Sequence, residues 1–479
     1  MIDLSFYLPE LILLISLSFI ILFDLFLPND KKEISYYLIQ ASLILCLFYL
    51  SSNLNINHSN EITIYDNSLF TVIFKLFIVA SLILILHYSY IFLSHFQKYQ
   101  TEYFSIILFG LLGIMIMISA KHLLLLYLGI ELLSLSLYSI IAFNKDSIYS
   151  SEAAIKYFIL GAISSGFLLF GISLIYGLTG HLDYQNIATI IEGLNLSATE
   201  YSIHSLGLVF ALTFILISLA FKFGAAPFHM WVPDVYQGSM TPTTLLLSTL
   251  PKIAIFIIIL SLTSSIFKDL LSFWSDILLT LSIISIIVGN VVALVQTNIK
   301  RMLAYSTIAN VGFILIGIYS GSQFGYQASL FYTVTYVLFT VSIFGIITQL
   351  KYNNQPIEEI TDLSGLNLSY PAYALMILVI MLSLIGIPPL LGFHAKLFII
   401  QSLVITNEIG LAIFIVLMTV IGSFYYLRVI KVMYFDDKKG LAEVISSKWV
   451  TYFFIIFLVL LGLNPEVLAN LTLYALSNI

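Results

Sequence analysis

Phe221-Lys222-Phe223-Gly224-Ala225-Ala226-Pro227-Phe228-His229 follows an apolar run, Leu206 to Ala220, that is fit to lie in lipid. The stretch puts a lysine in that apolar setting and follows it at once with a glycine and a proline, residues that break helices. A charge at the bilayer centre costs about 3 kcal/mol even on the gentler insertion scales. A membrane helix that carries such a charge and then breaks points to an ion site rather than to a plain anchor.

The rest of the chain supports a membrane setting. It has 479 residues, of which 60% are hydrophobic and 9% charged, against about 25% charged in an ordinary soluble domain. Its apolar runs exceed ~18 residues, too long for outer-membrane strands with their ~10-residue alternation. The expected fold is therefore an all-α polytopic membrane protein. The single cysteine, Cys46, sits in an apolar run and excludes an internal disulfide or a thiolate metal cage. A net charge of −6, thinly spread, implies no nucleic-acid partner. The first apolar run, 11–27, lacks a basic leader and a small-residue cleavage site, and reads as a retained helix.

Hydropathy suggests about fourteen spans: 4–27, 36–54, 69–93, 104–119, 123–143, 153–176, 206–235 (broken), 242–262, 271–295, 302–319, 327–350, 372–403 (broken), 411–427 and 449–468. The longest connection, 180–205, holds no Lys or Arg, and no loop could house a soluble catalytic domain. Of nineteen Lys and Arg, twelve fall in alternate loops: Lys31, Lys32, Lys98, Lys145, Lys300, Arg301, Lys351, Arg428, Lys431, Lys438, Lys439 and Lys448. Lys121 and Lys268 fall on the opposite side. The positive-inside rule then puts the lysine-rich loops in the cytoplasm or matrix and both chain ends outside.

A weak internal echo accompanies the breaks. Ser218-Leu219 and Phe228-His229 recur, 165 residues on, as Ser383-Leu384 and Phe393-His394. The second pair flanks another proline-interrupted span, at Pro388-Pro389. The breaks lie five spans apart, in the seventh and twelfth, and a unit of five spans must insert upside down relative to its twin. Two interrupted helices in corresponding places point to a transport site at an inverted-repeat interface.

Four charged residues stand out. Glu131 lies in Leu128-Gly-Ile-Glu-Leu-Leu-Ser-Leu, apolar on both sides. Lys222 comes just before the first break, Lys252 follows Pro251 in the eighth span, and Lys396 follows the second break. Burial depresses the proton affinity of a lysine into the working range and a nearby carboxylate restores it, so moving the carboxylate loads or unloads a proton. Arginine, always charged, could not serve. The plain alternatives are snorkelling lysines, which suits Lys75 and Lys156 as well, and for Glu131 a static buried salt bridge. Lys156 also has Glu152 one turn away. His229 and His394 follow aromatics at the two breaks, as lesser relay candidates or as polar packing. Asp234 is expected to cap or end the broken span, and the small-residue run Gly161-Ala-Ile-Ser-Ser-Gly166 to serve close helix packing. No Gly-rich phosphate loop, haem-ligand pair or cysteine cluster occurs, so a redox centre or nucleotide site in this chain is not expected.

These stretches, with Glu152-Ala-Ala-Ile-Lys-Tyr-Phe-Ile-Leu-Gly-Ala, Pro227-Phe-His-Met-Trp-Val-Pro-Asp-Val-Tyr-Gln-Gly, Gln296-Thr-Asn-Ile-Lys-Arg-Met-Leu-Ala-Tyr-Ser and Gly386-Ile-Pro-Pro-Leu-Leu-Gly-Phe-His-Ala-Lys, resemble the subunit N family of proton-pumping NADH–quinone oxidoreductase, respiratory complex I. The resemblance runs over nearly the whole chain. The middle motifs are shared with sister antiporter-like subunits and with Mrp-type Na⁺/H⁺ antiporters, which remain the alternative. The resemblance implies three N-terminal helices (1–95), a first repeat of helices 4–8 (104–262), a second of helices 9–13 (271–427) and a last helix (449–468). It implies a proton relay through Glu131, Lys222, Lys252 and Lys396, with Glu131 paired to Lys222. It implies no cofactor in this chain, with flavin and iron–sulfur clusters in partner subunits. The implied partners are the other membrane-arm subunits, an antiporter-like sister and small membrane subunits, together with the lipid bilayer and protons. The wording at 228–238 suggests a bacterial inner membrane, with the mitochondrial inner membrane as the alternative.

Overall fold

The computed structural model describes residues 7–28, 32–54, 64–96, 100–193, 203–437, 442–445 and 449–476. Of the expected loop cations, Lys31, Lys98, Lys438, Lys439 and Lys448 lie outside these described residues. Among the described residues, eleven helices are long and apolar enough to cross a membrane, twelve if one bent pair counts as a single span. The other two of the fourteen expected segments miss that test for physical reasons. The first helix, Leu8–Asp24, has 17 residues, and the twelfth segment is cut by its break into two 15-residue apolar helices.

The helices group into two units. The first runs to Leu219 and takes back Ala254–Leu271. It contains α1 (Leu8–Asp24), α2 (Glu33–Ser52), α3 (Leu69–His95), α4 (Thr101–Ile118), α5 (Leu123–Ile141), α6 (Ile148–Thr179), α7 (Tyr184–Gly193) and most of α8 (Ile203–Phe223). The connection expected as a loop at 180–205 therefore holds a helix. Ile187 and Ile191, one turn apart, bury its apolar side, and Asp183 accepts the Asn186 N–H at its start (3.1 Å). Lys75 does not snorkel: it is fully buried, ion-paired to Glu10 at 2.8 Å, and donates to the Tyr65 hydroxyl at 3.2 Å. Lys156 pairs with Glu152 at 2.8 Å across one exposed turn, as its spacing suggests.

The second unit comprises Ala220–Ile253 and Ser272–Tyr474. Its helices are α9 (Trp231–Gly238), α10 (Thr241–Leu247), the start of α11 (Leu250–Ser261), α12 (Leu271–Ala293), α13 (Ile299–Tyr319), α14 (Gln323–Ile347), α15 (Leu366–Ser369), α16 (Pro371–Ile385), α17 (Leu391–Ile405), α18 (Ile409–Tyr434), α19 (Trp449–Leu463) and α20 (Pro465–Leu476). The most apolar stretches of α13 and α14 are almost entirely enclosed by protein. Such helices can carry hydroxyl and amide side chains without exposing them to lipid. A small antiparallel sheet departs from the all-helical expectation. Strands β1 (Leu350–Tyr352), β2 (Gln355–Pro356) and β3 (Ala442–Val444) pair in the order β2-β1-β3, and Lys351 reaches Glu443 at 2.9 Å.

Three local departures matter below. The eighth segment carries its own interruption at Ser248-Thr249, so Lys252, near the middle of the 241–266 span, lies in the first turn of α11. Pro251 is the cause: it fits a first turn, but it has no N–H to carry the helical ladder on from Leu247 O. Lys300, expected in a loop, is buried in the first turn of α13 and donates to Ser239 O at 2.8 Å. The last segment bends by 83° between α19 and α20, where Pro465 lacks the N–H that would continue the ladder.

Candidate functional site

The first break is a helix C-terminus built by glycine. Gly224 adopts φ +79°, a left-handed backbone that only a residue without Cβ adopts readily. Its N–H donates to Phe221 O (3.0 Å), and the N–H of Ala225 to Ala220 O (2.9 Å). This pattern is a Schellman motif. It uses the carbonyls of residues 220 and 221 and leaves that of Phe223 without a helical partner. Lys252 supplies one: its Nζ donates to Phe223 O at 2.7 Å, with the side chain 1% exposed. The ammonium also sits 5.0 Å from the Trp231 ring centroid. Trp231 Nε1 donates to Phe221 O at 2.9 Å, and Ser285 Oγ accepts the Ala226 N–H at 2.8 Å. Lys222 is buried in the last turn of α8, one residue before the capped carbonyl.

The second break repeats this construction. Gly386 has φ +94°. Its N–H donates to Leu382 O and Ser383 O (3.1 and 3.0 Å) and that of Ile387 to Leu382 O (3.1 Å), a second Schellman end. The carbonyls left over are those of Leu384 and Ile385, and Lys396 Nζ donates to both, at 2.8 and 2.9 Å. Each break also contains a cis prolyl bond, Ala226–Pro227 and Pro388–Pro389. The 165-residue echo places Trp231 opposite Lys396, and each donates from the second half-helix to carbonyls of the first. The glycine comes one turn earlier in the second break than the echo implies.

The energetics of these lysines follow from their partners. A hydrogen bond to a charged group contributes about 1.5–3 kcal/mol. A cation at a helix C-terminus gains a further 0.3–1 kcal/mol or so from the backbone dipoles. Together these offset much of the roughly 3 kcal/mol that an ammonium costs in mid-membrane. The backbone oxygens therefore hold the Lys252 and Lys396 ammonium groups in place.

Around Lys396 lies a buried hydroxyl network carried by α13, α14 and α18. Tyr332 donates to Asn310 Oδ1 (2.7 Å) and Tyr336 to Thr307 Oγ1 (2.8 Å). Ser306 shares a short hydrogen bond with Tyr426 and accepts from Asn310 Nδ2 (3.3 Å). Two small cavities adjoin this network, one lined by Lys396, Asn310 and Tyr332, the other by Ser306, Thr307 and Thr340.

Glu131 belongs to the first unit, in the middle of α5. The Ser165 hydroxyl makes a short hydrogen bond to Glu131 Oε1. Ser165 belongs to the run expected only to pack helices. Packing is present too, since Gly161 lies against the Tyr138 hydroxyl and Ser164 Oγ meets Ser218 Oγ at 3.0 Å. His229 lies in the turn between α8 and α9, partly buried, and His394 in the first turn of α17 with its ring 5.4 Å from that of Phe393. Among the described residues, no hydrogen bond joins either ring to Lys222, Lys252 or Lys396. Asp234 does not end the broken span: it sits in the first turn of α9 and pairs with Arg301 at 2.8 Å. The sequence reading missed Ser165, Trp231, Ser285 and the tyrosines of α14. Trp231 sits 165 residues before Lys396 and was the one with a usable signal.

Residues 120–422 match the family described as NADH:quinone oxidoreductase/Mrp antiporter, transmembrane. The NADH-quinone oxidoreductase subunit N of Ruthia magnifica subsp. Calyptogena magnifica is 46% identical over 438 residues, covering 90% of this chain and 89% of the relative. A chain of respiratory complex I from Thermus thermophilus superposes with a TM-score of 0.80 at 28% identity, covering 96% of this chain and 98% of that one. A chain of the Mrp complex from Dietzia sp. has the same fold, with a TM-score of 0.83 at 18% identity over 100% and 98% of the two chains. On this family match and on relatives that align over nine-tenths of its length, the chain belongs to the NADH:quinone oxidoreductase/Mrp antiporter membrane family, among the NADH-quinone oxidoreductase N subunits.

Proposed function

We propose that this chain is a membrane-arm subunit that moves protons across a bacterial inner membrane while partner subunits pass electrons from NADH to quinone. One observation carries the mechanism. The ammonium groups of Lys252 and Lys396 rest on the carbonyls left open by two Schellman ends, inside interrupted apolar segments. A titratable cation held by backbone oxygens at a broken helix can exchange its proton without losing its place. Lys222, Lys252 and Lys396 form the relay, Glu131 tunes Lys222, and His229 and His394 stand beside the two breaks as secondary groups. The likeness of the breaks supports two inverted repeats, about 104–262 and 271–427, after three N-terminal helices and before a last one.

The partners under this reading are an antiporter-like sister subunit and small membrane subunits, with flavin and iron–sulfur clusters elsewhere in the assembly. The lysine-bearing connections face the cytoplasm and both chain ends face the periplasm. The relatives named as NADH-quinone oxidoreductase subunits favour this reading over a free-standing Na⁺/H⁺ antiporter. The test is Lys222→Ala in the assembled complex. NADH-driven proton uptake into vesicles falls, and coupled quinone reduction falls with it. Normal pumping by that variant overturns the relay.

A further inference from the structure

Tyr336 separates the two small cavities beside Lys396. It lines both, together with Phe339 and Leu384. Each cavity has room for about one water molecule. The first is bounded by Lys396, Asn310, Tyr332 and Thr335, and the second by Ser306, Thr307 and Thr340. Thr335 is 1% exposed and its Oγ1 has no hydrogen-bond partner among the described residues. A buried hydroxyl left unpaired is costly, and in native proteins it is ordinarily met by ordered water. The first cavity thus has a few polar groups in an otherwise apolar wall, the right size and an unmet hydroxyl.

We propose that Tyr336 is the proton-passing link between these cavities, and that the route from Lys396 runs through it toward the Lys300-Arg301 end of α13. This rests on the relay reading of Lys396. Two of the three Lys396 ammonium protons are engaged by Leu384 O and Ile385 O, and the third is available to a water in the first cavity. When that water hands a proton to the Tyr336 oxygen, Tyr336 releases its own along its 2.8 Å hydrogen bond to Thr307 Oγ1. The Thr307 hydroxyl, which otherwise donates to Leu303 O at 2.9 Å, turns from that carbonyl and releases its proton to a water in the second cavity. One O–H bond forms and one breaks at each step, so neither side chain ends charged. The same link runs in reverse to load Lys396.

Direction follows from helix geometry. Leu303, which lines the second cavity, precedes Asn310 of the first by seven residues of α13, about 10 Å at 1.5 Å per residue. That places the second cavity roughly one turn from Lys300 and Arg301. Ser306 and its partner Tyr426 flank the same stretch. No histidine is among the residues that line these two cavities.

The experiment uses the whole complex in vesicles, with NADH-driven proton uptake, quinone reduction and the D₂O effect measured together. Tyr336→Phe keeps the ring and removes the hydroxyl. It is expected to lower proton uptake roughly tenfold, the scale of one lost hydrogen bond in a transfer step, and to change the D₂O effect. Thr307→Val gives the same loss and Thr307→Ser restores uptake. The Thr307 pair decides if Tyr336→Phe fails to assemble. Normal pumping by Tyr336→Phe beside a defective Lys396→Met overturns this link and leaves the relay standing. Normal pumping by both overturns the relay beneath it. Failure of Thr307→Ser to restore uptake also overturns the link, because packing would then account for the loss.

Discussion

Lys252→Arg separates a lysine that passes protons from one that only caps a helix. A guanidinium keeps the positive charge, can still donate to Phe223 O and can still stack on Trp231, but it does not release its proton. Lys252→Met removes charge and cap together. From the structure, methionine forfeits one charge-assisted hydrogen bond of 2.7 Å, about 1.5–3 kcal/mol, and leaves the Phe223 carbonyl buried without its donor. It also removes a buried cation, which offsets part of that loss. The net effect on stability is therefore small, while the relay loses a station in both variants. Each is expected to lower NADH-driven proton uptake by vesicles roughly tenfold, the equivalent of about 1.4 kcal/mol in the transfer barrier. Assembly is checked by the amount of intact complex and by electron transfer from NADH to an artificial acceptor. If Lys252→Arg pumps like the parent, the proton never leaves residue 252 and the cap is all there is.

Ser165→Ala removes the hydroxyl that donates to Glu131 and should lower pumping several-fold, whereas Ser164→Ala, which faces Ser218 instead, leaves it unchanged. The pair is read by the same vesicle assay. Gly224→Ala forces an L residue to φ +79° at about 1–2 kcal/mol and drives its Cβ to 2.8 Å from Val232 and 2.9 Å from the Lys252 ammonium. It should abolish pumping, while Gly180→Ala, at φ +71° with nothing within 4 Å of the new Cβ, costs only the backbone strain. Lys75→Met strands the Glu10 carboxylate and is expected to lower thermal stability by about 3–5 kcal/mol. Adding Glu10→Leu should recover most of that in a melting assay, and a double variant no better than the single one refutes the pairing.

The breaks were the most legible part of the chain. Gly224, Pro227, Gly386 and Pro388-Pro389 disrupt long apolar runs by their backbone chemistry alone, so their effect shows in one dimension. The buried charges were legible for the same reason: a lysine between apolar stretches is costly wherever it lands. What the lysines touch was not legible. Lys252 reaches a carbonyl 29 positions away, a contact fixed by how Pro251 restarts its helix. Ser165 looked like one of several small residues made for close packing, and only the facing of α5 and α6 turns it toward Glu131. Lys300 read as a loop cation because a lysine at a helix start is indistinguishable from one just outside it, yet its chain folds back onto Ser239 O. The amphipathic α7 was hidden by its length. Ten residues with two buried isoleucines fall well short of the ~18-residue apolar runs that mark a span.

Under the proposed relay, the two lysine caps would also act mechanically. A charge-assisted hydrogen bond is roughly twice as strong as a neutral one. When the ammonium of Lys252 gives up its proton, the resulting amine holds Phe223 O with about half the grip. A shift of about 1 kcal/mol is close to twice the thermal energy, enough to change how often the end of α8 loosens. Under that proposal, one nitrogen would act as a transducer between chemical occupancy and backbone motion. The first break is clasped by a neighbouring span, the second by Lys396 of its own second half. A change of proton at Lys252 tugs one helix against another, whereas at Lys396 it flexes a single hinge.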